Sequence, residues 1–164
     1  MELPEIIHHP EIKLIGKRLT TSFSNDRTGD LWRSFMPERK NIPEPSGTEL
    51  YSVSIFPGVL DTDSFNPDLT FEKWAAMKVD RFARIPPGMD PLIIREGAYA
   101  WFVHQGPTHT FPESLKFFYG TWLPGTGYEL DHRPHFEVMG KDYLGLDHPD
   151  SREHIFIPVK PKNS

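Results

Sequence analysis

Residues Trp122–Met139 read WLPGTGYELDHRPHFEVM, and how this stretch divides decides the fold. Its first residues close an aromatic helix, which Pro124 and Gly125 end. Its last residues alternate as a strand. His135, Glu137 and Met139 share one face, and Phe136 and Val138 take the other. With Phe136 and Val138 in a core, Glu137 points away from it, to water or into a groove. Helix, turn and strand in close succession give an α+β class.

Upstream, Pro112 to Trp122 (PESLKFFYGTW) has Leu115, Phe118, Tyr119 and Trp122 on one helical stripe, with Thr108 or Thr110 as the cap and proline in the first turn. Leu92–Gln105 reads as one strand, with Tyr99, Trp101 and Val103 on one face and Ala100, Phe102 and His104 on the other. Downstream, Glu153–Lys160 supplies the last strand and residues 161–164 a tail. The cluster IPPGMDP (85–91) is a natural midpoint.

The first half repeats the pattern. Glu11–Thr21 alternates as a strand after a loose lead-in over residues 1–10. A helix follows over Asp26–Met36, with Leu31, Trp32 and Phe35 at helical spacing and Pro37 at its end. Glu49–Phe56 alternates, with Tyr51, Val53 and Ile55 on one face. Phe71–Asp80 is assigned to a strand, although periodicity alone also permits a helix. The helix ends WRSFMP and YGTWLP resemble each other. The expectation is a single domain over residues 1–164. It holds tandem duplicated strand–helix–strand–strand modules, about residues 10–84 and 90–160, with pseudo-two-fold symmetry. The seam between them is a natural ligand groove.

Composition excludes several function classes. The 164-residue chain has a formal net charge of −5, so it lacks the basic stripe that direct nucleic-acid binding needs. With no cysteine, disulfides, thiolate catalysis and Cys-ligated zinc are out. No apolar run reaches the roughly 20 residues that span a bilayer, and the N-terminus has no secretory apolar core. A cytoplasmic protein is expected. Aromatic residues make up 13%, which suits either a flat-walled cavity or an aromatic core.

Four segments together carry a family resemblance: GAYAWFVHQG (97–106), the helix ending in WLP (122–124), RPHFEVMG (133–140) and IFIPVK (155–160). In this order and spacing, the chain resembles the GyrI-like small-molecule-binding domain over roughly residues 10–160. That module is the effector-binding domain of many AraC- and MerR-type bacterial transcription activators, and it also occurs alone. The resemblance implies a pocket between tandem modules, in which the glutamate of the P-x-F-E strand meets lipophilic cations. Glu137 holds that position. Met139 stands where the family often has tyrosine, so an apolar side chain replaces part of the polar lining. Only about ten residues precede the first strand, which leaves no room for a helix-turn-helix and points to the free-standing form. Some free-standing relatives hydrolyse cyclopropane-containing natural products, and others protect DNA gyrase.

Three functions stay open. The first is a binder of a hydrophobic, aromatic or cationic small molecule. Ionised, Glu137 would be the counter-ion, helped by cation–π contact with ring faces. The walls would be Tyr99, Trp101, Phe118, Tyr119 and Trp122, with Trp32, Tyr51 and Trp74 as first-half counterparts, and Met139 beside the carboxylate. Tyr99 is the first choice as a hydroxyl partner. The second is a hydrolase using Glu137 as general acid or base with Tyr99. The third is a protein-interaction module. No cofactor is expected. His132, His135 and His148 lack metal-site spacing, no G-x-S-x-G marks a serine nucleophile, and the G-x-G of LPGTGYEL lacks its strand and helix.

Overall fold

A computed structural model describes residues 2–163. The strands are β1 (Glu5–His9), β2 (Ile12–Thr21), β3 (Pro45–Ile55), β4 (Phe71–Val79), β5 (Asp90–Ile94), β6 (Gly97–Gln105), β7 (Tyr128–Leu130), β8 (His135–Met139) and β9 (Arg152–Pro161), with helices α1 (Thr28–Phe35) and α2 (Phe111–Phe117). Every strand pairing is antiparallel. The sheet order is β1-β6-β9-β8-β3-β4-β2-β5, with β7 added on β9. Among the described residues, no helix is long and apolar enough to cross a membrane.

The order has the same logic from either end. β2, α1, β3 and β4 form one strand–helix–strand–strand unit, and β6, α2, β8 and β9 form the other. The units meet at β3–β8, an arrangement consistent with a two-fold relation. Their lead-in strands are exchanged: β1 precedes β2 but pairs with β6, and β5 precedes β6 but pairs with β2. Two sequence expectations are corrected here. Residues 5–9 are a strand rather than a loose lead-in, and Leu92–Gln105 is two strands broken at Arg95–Glu96. Both misread strands are short sheet edges, where proline and charge are tolerated and alternation is not enforced.

The helices cover one face. Leu31 and Phe35 of α1 join Ile15, Ala75, Met77 and Val79 in one apolar cluster. Phe118, just past α2, joins Ala100, Phe102, Ile155, Ile157 and Val159 in another. The helical run continues beyond α2 through a π-type turn, Phe118–Trp122, so that Phe118 stacks on Phe102 at 5.3 Å and on Trp122 at 5.4 Å.

The opposite face has no helix and is nonetheless closed. Ile12 and Leu14 of β2 and Tyr99 of β6 join Val53, Trp74, Phe136 and Phe156 in a third cluster, so the sheet curls over this face. Gly16 permits the tight β2–β4 approach. A Cβ there would lie 2.1 Å from the Ala75 carbonyl oxygen and 2.6 Å from Ala76 Cβ. Gly16→Ala is expected to destabilise the fold by about 3 kcal/mol, the upper end of ordinary overpacking, because backbone must move. The urea midpoint measures this; an unchanged midpoint would mean the strands separate freely.

Candidate functional site

The seam between β3 and β8 differs in chemistry from what flanks it. Ser52 lies opposite Glu137, Ser54 opposite His135, and Leu50 opposite Met139. Ser52 also lies opposite Ala75, under α1, and Glu137 opposite Ile155, under α2. Cross-strand partners share a face. The helix-side face of the seam is therefore a polar strip of Ser52, Ser54, His135 and Glu137 between two apolar cores.

Three further groups converge on this strip. Lys73 of β4 lies opposite Ser54, and its Nζ donates to Ser54 Oγ at 3.0 Å. Glu153 of β9 is hydrogen-bonded to Glu137. Burial first, then the Glu137 charge and that hydrogen bond, push the Glu153 carboxyl up to about 7, and Lys73 opposes the rise. Tyr143, in the loop after β8, is raised by burial and then by Glu153, Glu137 and Asp147. Burial and then Lys73 hold His135 down to about 3, so its imidazole is neutral near pH 7. Two carboxyl groups in hydrogen-bond contact share one proton, because a carboxylate has no donor of its own.

The structure divides the rings expected to line a groove. Tyr51, Trp74 and Tyr99 are buried in the helix-free cluster, and Trp101 packs against it. Tyr99, the expected hydroxyl partner of Glu137, does not meet it. Its hydroxyl donates to the Pro134 carbonyl at 2.8 Å, and its ring carries the Arg133 guanidinium at 4.7 Å. Trp101 lies alongside His154, 6.0 Å between ring centroids, and donates to its Nδ1 at 3.3 Å. Trp32, Phe118, Tyr119, Trp122 and Met139 lie on the helix side with Glu137. Phe118 is fully buried core there, which leaves Trp32, Tyr119 and Trp122 at the flanks of α1 and α2.

Glu153, Lys73 and Tyr143 escaped the sequence reading. The available signal was a lone charge in phase with an apolar stripe: Glu153 before Ile155, Ile157 and Val159, and Lys73 before Ala75, Met77 and Val79. Such a residue either snorkels to water or is held by a partner.

Two cavities are lined by residues outside the strip. One, of about 390 Å³, lies within the loop from Pro57 to Leu69. The other, of about 450 Å³, lies between that loop and the end of the α2 run, against Leu60, Tyr119, Leu123 and Leu130. Neither is lined by Glu137 or Glu153. The charged side chains Asp61, Asp63, Glu129 and Lys162 share the lining of the second with those apolar residues.

Comparison with known proteins places this geometry. The family model of the GyrI-like small molecule binding domain matches residues 3–160. The transcriptional regulator BrlR of Pseudomonas aeruginosa is 24% identical over 155 residues, covering 94% of this chain and 54% of the regulator; the chain thus spans about half the length of that relative. Among solved structures, SAV2435 bound to tetraphenylphosphonium superposes with a TM-score of 0.71 at 15% identity, covering 98% of this chain and 94% of that one. A hydrolase from Listeria innocua superposes with a TM-score of 0.56 at 15% identity, covering 96% and 92%.

Proposed function

The chain belongs to the GyrI-like small molecule binding domain family, and on that premise we propose that it binds a hydrophobic cation on the helix side of the β3–β8 seam. Glu137 reads the charge, and Trp32, Tyr119 and Trp122 supply ring surface. The observation that carries this reading is the facing of Glu137: its strand neighbours Phe136 and Val138 pack on the helix-free side, and the carboxylate sits in the polar strip between the two helix-covered cores. Burial of apolar ligand surface contributes at most about 25 cal/mol per Å². The carboxylate adds selectivity, because a desolvated cation needs a paired charge. The structural neighbour SAV2435 was solved with tetraphenylphosphonium, a cation of this class. The matched segment of BrlR is part of a transcriptional regulator, which fits a role as an effector sensor.

Tryptophan emission tests the reading. Trp32 packs against the core under α1 and Trp122 against the core under α2, so tetraphenylphosphonium bound between them is expected to quench saturably, and triphenylphosphine oxide, neutral and similar in shape, at least tenfold more weakly, the worth of one charge-assisted contact at about 1.4 kcal/mol. Equal affinity for the two would remove the charge-reading role.

One observation favours a second reading, hydrolysis of a reactive hydrophobic electrophile. A carboxyl held protonated up to about 7 beside a second carboxyl is the arrangement that general acid–base chemistry uses. Glu153 would donate or accept the proton and Glu137 would orient water. A hydrolase returns altered ligand, whereas a binder returns it unchanged, so chromatography of the recovered compound separates the two.

A further inference from the structure

Glu137 and Glu153 stand on adjacent strands, on one face, in hydrogen-bond contact. That contact requires a proton between them. Lys73 acts on Glu153 from β4 and donates to Ser54. Two carboxylates, one proton and one ammonium leave the cluster with no net charge. From this arrangement we propose that uptake of a lipophilic cation at the seam expels the proton shared by Glu137 and Glu153, with Lys73 as the resident counter-ion. The proposal rests on the cation reading above and adds its linkage to pH.

The electrostatics require such an exchange. Adding a cation to a neutral, half-buried cluster leaves an uncompensated charge, which is costly away from water. Losing the proton to solvent supplies a second negative charge and restores neutrality. No covalent bond changes: one cation enters and one proton leaves.

Other ionisable groups around the pair are already engaged or distant. His135 of β8 is neutral near pH 7. His104, opposite Glu153 on β6, has Nδ1 at 2.8 Å from Ser114 Oγ and Nε2 at 3.2 Å from both Thr110 Oγ1 and the Pro107 carbonyl. Lys17 of β2 is held by Glu38 and by Ser34. Tyr143, in the loop after β8, is kept neutral by burial and by the pair's own charge, and Asp147, which acts on Tyr143, is exposed. On the helices, Tyr119 is held in its neutral form by burial, Glu113 and Lys116 are exposed, and Asp30 pairs with Arg33 at the surface.

The sign follows from where the proton sits. Glu153 keeps it until about pH 7. Below that pH a bound cation must expel it; above, the site is already prepared. Cation affinity therefore rises with pH through 7 and then levels off.

Titration calorimetry with tetraphenylphosphonium, in two buffers of different ionisation enthalpy at pH 6 and pH 8, reads the exchange directly. The expected result is release approaching one proton per cation at pH 6, little at pH 8, and affinity about tenfold tighter at pH 8. Glu153→Gln is expected to abolish both the release and the pH dependence. Lys73→Met, which removes the resident cation, is expected to tighten binding at pH 6 and reduce the release. Binding without proton release at pH 6, at equal affinity for both pH values, would overturn the exchange while leaving the cation reading intact. Absence of binding at both pH values would overturn the cation reading and the exchange together.

Discussion

Glu137→Gln is expected to weaken tetraphenylphosphonium binding at pH 8 by roughly 10- to 100-fold, the range of a charge-assisted contact worth about 1.5–3 kcal/mol. The neutral phosphine oxide should change by no more than about twofold, since its apolar burial is untouched. The substitution is close to isosteric and keeps Ser52 and Ile155 as cross-strand neighbours, so the fold has no reason to move. At pH 8 the wild-type strip offers two carboxylates against Lys73. The variant offers one, which Lys73 already balances, and the cation arrives at a neutral cluster. Glu153 cannot substitute, because it loses the neighbour whose charge raised its carboxyl and then ionises at lower pH without adding a second charge. The pH dependence near 7 should vanish with the affinity. An equal loss for the cation and the neutral compound would mean that Glu137 shapes the seam rather than reads charge.

The parts of this site that were legible in the sequence are those that depend on one strand at a time. The alternation of His135–Met139 separated Phe136 and Val138 from Glu137, and the aromatic stripe after Pro112 located the helical run that ends near Trp122. Phe71–Asp80 was assigned to a strand on half-regular alternation, and β4 is that strand. What remained hidden depends on pairs of strands. Alternation says which residues share a face but not which face a helix covers. In β6 both faces are apolar, with Tyr99 on one side and Ala100 and Phe102 on the other, so polarity offered no clue. The same alternation puts Tyr99 and Trp101, with Tyr51 and Trp74, among the expected ligand walls, and the structure sets them on the face away from Glu137, where the sheet curls over itself. Glu153 was hidden for the same reason. Its proximity to Glu137 follows from the β8–β9 register, which no local pattern encodes.

Phe136→Ala separates these two faces experimentally. Phe136 is 1% exposed. Its ring stacks on Phe156 at 4.6 Å and meets Tyr99 edge-on at 5.2 Å, His9 at 5.3 Å and Tyr51 at 6.3 Å. These partners come from β9, β6, β1 and β3, so the ring ties both units and one exchanged lead-in strand to the seam. Removing it forfeits burial and opens a cavity that rigid strands cannot refill, at an expected cost of about 3–5 kcal/mol. For a domain of this size that lowers the melting temperature by roughly 6–20 °C, a large share of a typical total stability of about 5–15 kcal/mol. Phe136→Leu, which leaves most of the volume, should cost clearly less. In protein that remains folded, the ratio of cation to neutral affinity should be unchanged, because Glu137 one residue away faces the other side. If instead melting barely moved while cation binding was lost, the helix-free aromatic cluster would be the ligand cavity. Tyr99 and Trp101 would then return as its walls, and the polar strip would be a structural tie between the two units.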